Sequence, residues 1–151
     1  TVIVRPFNVI GPRQTGRYGM VVPRFIKQAM LGDDITVYDD GEQRRCFTYI
    51  DDAVDGLIAL ASSDRAFGDV FNLGSNFESS IKDLAHKIKE MTGSDSEIAF
   101  IPFSQTLSRN GLYEDLVYRA PDLQKIRELV GYDPKVDLDE ALRRIIEDFK
   151  K

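Results

Sequence analysis

Thr1-Val2-Ile3-Val4-Arg5-Pro6 and Val70-Phe71-Asn72-Leu73-Gly74 are the stretches that decide the fold. In both, β-branched, aromatic and aliphatic residues follow one another with little polar alternation. That is the pattern of a strand buried on both faces in a parallel sheet. Such a strand needs neighbours on both sides, and two of them cannot build a doubly wound sheet alone. The expectation is a chain that forms the C-terminal part of something longer. The alternative is a complete small domain whose initiator methionine has been removed.

Working outward, the first strand (2–5) stops at Pro6. A loop rich in turn formers follows from Asn8 to Gly19 and carries Arg13 and Arg17. Pro23 suits the first turn of a helix that presents Phe25, Ile26, Ala29 and Met30 at helical spacing and stops at Gly32. A short strand is expected over 35–38, a turn at Asp39-Asp40-Gly41 and a strand over 46–50. Asp51 or Asp52 is expected to cap a helix whose inner face is Ala53, Val54, Leu57, Ile58 and Ala61. After the strand at 70–73, Ser80-Ile81-Lys82-Asp83 resembles a capping box with Asp in place of Glu. It opens a helix with Ile81, Leu84, Ala85, Ile88 and Met91 inward, ending at Gly93. A strand over 97–101 precedes an aperiodic stretch, 104–118, read as a loop. Helices over 122–130 and from Asp137 onward complete the chain, the latter with Leu138, Ala141, Leu142, Ile145 and Phe149 inward. Alternation of strands and helices gives an α/β class. Two buried strands beside three shorter, more amphipathic ones suggest the last strands of a parallel sheet interleaved in sequence with a small α/β lobe.

Composition bounds the chemistry. The 151 residues are 42% hydrophobic and 30% charged, values of a globular domain. Cys46 is the single cysteine and cannot form an internal disulfide, which points to a reducing, cytoplasmic compartment. One His and one Cys exclude a His/Cys zinc site. A net charge of −5 argues against wholesale binding to nucleic acid. The charge is uneven: residues 1–50 hold 7 basic and 5 acidic residues, and the remainder 13 and 20. Arginines gathered in one segment of an acidic protein suit a small anion, or have clustered by chance.

No G-x-G-x-x-G or Walker loop is present, and no nucleophile–base pair can be named. His86 lies off its helix's apolar stripe and reads as a solvated surface residue; Cys46 reads as a small core or edge residue. Arg45 starts a strand after a glycine turn. Arg119 precedes Pro121-Asp122, where a helix begins. An arginine beside a helix start suits a diphosphate, since guanidinium forks and backbone N–H groups converge there. An ordinary surface salt bridge would explain either residue as well. Tyr38 closes an apolar strand and could stack on a base or belong to the core.

These segments also carry a family likeness. Arg5-Pro6-Phe7-Asn8-Val9-Ile10-Gly11-Pro12-Arg13 resembles the R-x-F-N-x-Y-G-P-R segment of extended short-chain dehydrogenase/reductases acting on nucleotide sugars. Gly19-Met20-Val21-Val22-Pro23-Arg24-Phe25 matches their next segment. Ile35-Thr36-Val37-Tyr38 with Asp40-Gly41-Glu42-Gln43-Arg44-Arg45-Cys46-Phe47-Thr48-Tyr49-Ile50-Asp51-Asp52 resembles V-Y-G-D-G-x-Q-x-R-x-F-x-Y-V-x-D. Val70-Phe71-Asn72-Leu73-Gly74 matches V-F-N-I-G. Arg119-Ala120-Pro121-Asp122 with Leu129-Val130-Gly131-Tyr132-Asp133-Pro134 resembles R-x-P-D…L-G-W-x-P. The likeness runs through the whole chain in the family's order. Ile10 departs from the usual Tyr, Asp39 from a Gly, and Pro121 from the Gly of some epimerases.

The resemblance implies relatives of UDP-glucose 4-epimerase, UDP-glucuronate decarboxylase and dTDP-glucose 4,6-dehydratase, with this chain as their C-terminal half. It implies the last strands of a Rossmann-like parallel sheet, residues 2–5 and 70–74, interleaved with a small α/β substrate-binding lobe. It implies NAD, held mainly by an N-terminal half with the Gly-rich loop and a Y-x-x-x-K pair, neither of which occurs here. It implies substrate contacts at Asn8, Val21, Val22, Tyr38, Arg45, Arg119 and Asp122, and nicotinamide contacts at Pro6 and Phe7. The implied substrate is a UDP-sugar and the leading activity a 4-epimerase, with decarboxylase or dehydratase as alternatives. A homodimer is implied for the full-length protein. A stand-alone, non-catalytic nucleotide-sugar binding module is the non-enzymatic reading.

Overall fold

The computed structural model of the chain describes residues 1–16, 20–102 and 118–151. They form two units whose segments interleave: Thr1–Pro12, Cys46–Glu78 and Ala120–Ile145 make the first, Arg13–Arg45, Ser79–Arg119 and Ile146–Lys151 the second.

In the first unit, β1 (Ile3–Pro6) and β6 (Val70–Leu73) run parallel, with Ile3 opposite Val70 and Pro6 opposite Leu73. β2 (Val9–Ile10) pairs in parallel with β5 (Thr48–Tyr49). Helix α2 (Ile50–Ala61) follows β5 directly and packs with α4 (Gln124–Val130), which also lies against β6. Ala53, Leu60, Phe71, Leu73, Leu123, Ile126 and Tyr132 make the core. Each fully buried large side chain contributes about 1.5–3 kcal/mol, so this cluster is what holds α2 and α4 to the sheet. Gly56 is mid-helix because a Cβ there would collide with Leu73 and lie 2.8 Å from Tyr132 Cε2. Asp52, only 6% exposed, accepts the N–H groups of Lys135 and Val136, both at 3.0 Å, and so ties the start of α2 to the segment after α4. Helix α5 (Leu138–Phe149) opens at Asp137, whose side chain accepts the Glu140 N–H at 2.9 Å.

In the second unit, α1 (Val21–Leu31) and α3 (Ile81–Thr92) pack on each other and on β3 (Ile35–Tyr38). Phe25, Ile26, Ile35, Val37, Leu84 and Ile88 are buried there. β3 pairs in parallel with β8 (Ile98–Ile101). β4 (Arg44–Cys46) lies between β7 (Glu78–Ser80) and β9 (Tyr118–Arg119). Ser80 caps α3 by accepting the Asp83 N–H at 2.9 Å, and Gly32 and Gly93 close α1 and α3 in the left-handed conformation.

Several expectations change. β1 is not buried on both faces: Ile3 is 52% exposed, since among the described residues β1 pairs only with β6. Val9 and Ile10, read as loop, form β2. The strand expected over 46–50 breaks at Phe47 into β4 and β5, and Ile50 already belongs to α2. Neither Asp51 nor Asp52 caps α2: the capping position is Tyr49, and the Asp52 carboxylate is engaged by the 135–136 backbone. The inner face of α2 is Ala53, Gly56 and Leu60, while Val54, Leu57 and Ile58 are exposed. After Asp55, α2 is apolar on every side (Gly56–Ala61), so its periodicity has no unique inner side. β7 and a 3-10 turn at Asp64–Ala66 have no counterpart among the expected elements. Of the stretch 104–118, only Tyr118 is described, and it begins β9; 104–117 lie outside the described residues, as do Arg17 and Gly19 of the first loop.

Candidate functional site

In the first unit the candidates gather at the carboxyl ends of β1 and β6, where ligands of parallel α/β sheets bind. Pro6 is the last residue of β1 and is exposed; Phe7 and Asn8 are half-buried. The Phe7 N–H donates to Leu73 O at 2.8 Å, and Thr48 Oγ1 donates to Phe7 O at 2.8 Å. Asn8 adopts φ +39°, a left-handed conformation that asparagine tolerates better than most residues. Its Nδ2 donates to Cys46 O at 2.8 Å and its carbonyl accepts the Thr48 N–H at 3.1 Å. The amide is thereby oriented, leaving Oδ1 as its remaining acceptor.

Next to this edge, Gly74 admits close approach: a Cβ there would lie 2.7 Å from Pro121 Cγ and 3.2 Å from Phe7 Cβ. Its carbonyl accepts the Tyr132 hydroxyl at 2.8 Å. Burial first, then the Asp52 carboxylate, pushes the Tyr132 pKa up to about 12. Asp122 is exposed; its Oδ1 accepts the Gln124 N–H at 2.9 Å and its carbonyl accepts Asn72 Nδ2 at 3.1 Å. The Cys46 thiol, 2% exposed, is pushed up in pKa by burial and then by Glu78, which keeps it protonated and inert.

In the second unit the candidates form two groups. Arg45 and Arg119 are register partners on the parallel strands β4 and β9, as are Arg44 and Tyr118. Arg45 is only 8% exposed and its Nη1 donates to Arg44 O at 2.7 Å; Arg119 is exposed. Two guanidinium groups at adjacent register positions repel unless an anion lies against them. The second group is at the end of β3. Tyr38 is half-buried, and the Arg24 guanidinium lies 4.7 Å from its ring centroid. Val21 is half-buried in the first turn of α1, whereas Val22 is 1% exposed, so a ligand could meet Val22 only through its backbone.

Thr48, Tyr132, Arg24 and Gln43 support these positions, and sequence reasoning alone does not single them out. Arg24 lies in the quoted Val21-Val22-Pro23-Arg24-Phe25 motif, which was the available signal.

Comparison with known proteins places this fold. The NAD dependent epimerase/dehydratase family matches residues 1–74. Over 150 residues the chain is 41% identical to UDP-N-acetyl-alpha-D-glucosaminuronate decarboxylase of Bacillus cytotoxicus, covering 99% of this chain and 46% of that protein. It is 40% identical to UDP-glucuronic acid decarboxylase 1 of Xenopus tropicalis, covering 99% of this chain and 33% of that one. The crystal structure of UDP-glucuronic acid 4-epimerase from Bacillus cereus, in complex with UDP-glucuronic acid and NAD, superposes with a TM-score of 0.85 at 31% identity, covering 99% of this chain and 45% of that chain. By sequence and fold the chain is similar to members of the NAD-dependent epimerase/dehydratase family, among them nucleotide-sugar epimerases and decarboxylases. It spans less than half the length of these relatives. The apolar Pro6 and Phe7 at the strand ends, with the close approach at Gly74, fit the ring end of a dinucleotide. Among the described residues, no helix is long and apolar enough to cross a membrane.

Proposed function

We propose that this chain supplies the nucleotide-sugar-binding part of an NAD-dependent enzyme acting on a UDP-linked uronic acid, with decarboxylation as the reaction. The observation that carries the reading is the register pairing of Arg45 with Arg119, a two-guanidinium position suited to a diphosphate. In this reading Tyr38 meets the base, Val21 and the Val22 backbone flank the nucleotide, and Asn8 and Asp122 contact the sugar–phosphate portion. Pro6 and Phe7 line the nicotinamide. NAD would supply the hydride chemistry when bound; the residues here grip and orient the substrate, with binding energy remote from the reacting carbon. β1 and β6 are proposed as strands of the sheet of an NAD-binding domain.

The motifs alone favour a 4-epimerase. The names of the two curated relatives favour decarboxylation instead, and the Bacillus cereus structure keeps 4-epimerisation as the second reading. The names of all three contain a UDP-linked uronic acid, which motivates the carboxylate-bearing sugar. The test has two steps. Calorimetric titration with UDP-glucuronic acid should give saturable binding that Arg45→Ala weakens; no binding to the unmodified chain sinks the reading. In the protein carrying its NAD-binding segment, NMR of the product decides the reaction. Carbon dioxide release with a pentose product supports decarboxylation, and a C4 epimer with the carboxylate retained supports the second reading.

A further inference from the structure

On the outer edge of β3, three backbone polar groups are held by side chains rather than by a strand. Thr36 N–H is accepted by Gln28 Oε1 at 3.2 Å, and Gln28 Nε2 donates to Thr36 Oγ1 at 3.0 Å. Thr36 O accepts Arg24 Nη2 at 3.1 Å. Two residues on, Tyr38 O accepts Gln43 Nε2 at 3.4 Å. Arg24 and Gln28 are four apart and share one face of α1. From there Arg24 also lays its guanidinium over the Tyr38 ring, 4.7 Å from the centroid, with Phe25 at 5.3 Å.

Electrostatics alone would assign a third arginine of this unit to the same diphosphate as Arg45 and Arg119. Geometry argues otherwise. Arg24 Nη2 is committed to the Thr36 carbonyl and the guanidinium to an aromatic face, an arrangement that lysine reproduces only in part. Among the described residues, Arg24 Nε and Gln43 Oε1 are buried without a hydrogen-bond partner. Buried polar atoms are nearly always satisfied, so two exceptions on the two residues that grip Tyr38 call for a reason beyond packing.

We infer that Arg24 is a positioning residue for base recognition: with Gln43 it clamps Tyr38, ring and carbonyl, so that Tyr38 meets the base of the nucleotide in a fixed orientation. Arg24 acts on the base through Tyr38 and does not bind phosphate. The inference rests on the nucleotide reading proposed above.

The test separates base from phosphate. UDP and inorganic pyrophosphate are titrated into the unmodified chain and into Arg24→Leu, Arg24→Lys and Gln43→Leu. Arg24→Leu should weaken UDP about tenfold while pyrophosphate affinity stays within twofold. Arg24→Lys should recover part of the UDP affinity. Gln43→Leu, acting from a different residue, should repeat the base-only loss and keeps the test decisive if Arg24→Leu does not fold. Equal losses for UDP and pyrophosphate would make Arg24 a phosphate ligand and overturn the inference, as would unchanged UDP binding in these variants. If the unmodified chain binds UDP no more tightly than pyrophosphate, the nucleotide reading itself fails and takes this inference with it.

Discussion

Arg45 on β4 and Arg119 on β9 stand side by side at matched positions of two parallel strands, the first almost buried and the second exposed. A structural salt bridge and an anion site predict opposite signs on removing one of them. Truncating Arg45 should weaken UDP-sugar binding by about 1.5–3 kcal/mol, the range for charge-assisted hydrogen bonds. Arg119→Gln should also weaken binding, yet raise the stability of the ligand-free protein by a few tenths of a kcal/mol by relieving like-charge proximity. That gain should shrink in high salt. Thermal melts with and without ligand read both quantities. A loss of ligand-free stability in Arg119→Gln would mark Arg119 as a structural ion-pair partner.

Gly56 sets local propensity against packing. Alanine in mid-helix is favoured over glycine by about 1 kcal/mol. Here the added methyl would collide with Leu73 and lie 2.8 Å from the Tyr132 ring. Overpacking of a filled core costs ~1–3 kcal/mol, so Gly56→Ala should be net destabilising. Urea denaturation checks the sign; a stabilised variant would mean that α2 can move away from β6 at little cost.

How far the sequence discloses the fold depends on how local each signal is. β3 and the ends of α1 and α3 lie where Gly32, the Asp39-Asp40-Gly41 turn, Ser80 and Gly93 punctuate the chain. These are contacts over a few residues. Asp52 resembles a helix cap in the sequence because its actual partners are 83 and 84 residues away. β9 escaped for a similar reason: two residues, paired with a strand far upstream. The inner face of α2 is not legible in the sequence because its last six residues, Gly56–Ala61, are all apolar. Among site residues, Arg45 and Arg119 stood out singly by their flanking turns, but their juxtaposition is a matter of strand register, which no spacing encodes. Asp39 illustrates a departure with a structural cost: it takes φ +52°, a left-handed conformation that the glycine of the motif it resembles would adopt freely.

Asp52 should be worth more than a surface carboxylate. Its two oxygens satisfy two backbone N–H groups, and Asp52→Ala would leave both without a side-chain acceptor. At about 1–3 kcal/mol for each unsatisfied buried donor, discounted for water reaching the half-buried segment, the expected loss is ~2–4 kcal/mol. Asp52→Asn keeps one acceptor and should lose less. Hydrogen exchange at the Lys135 and Val136 amides locates the effect: exchange should accelerate there first. Unchanged exchange at those two amides would show that the carboxylate does not hold the segment.

Tyr132 gives a pH signature with a fixed sign. Its hydroxyl donates to Gly74 O at 2.8 Å, and burial followed by Asp52 raises its pKa to about 12. An unfolded tyrosine titrates near 10. Between those values the unfolded chain has released its phenolic proton while the folded chain has kept it. The unfolded state then binds fewer protons, and stability falls as pH rises. The contribution is therefore whole below about pH 10 and lost as pH passes the folded value. Tyr132→Phe removes the hydrogen bond, about 1 kcal/mol near neutrality, and also removes this titration. The native protein should be the more stable of the two at pH 8, and its advantage should shrink above pH 10. Urea unfolding of both proteins across that interval decides the matter: a constant difference would mean that the Tyr132 hydroxyl titrates alike in the folded and unfolded chain.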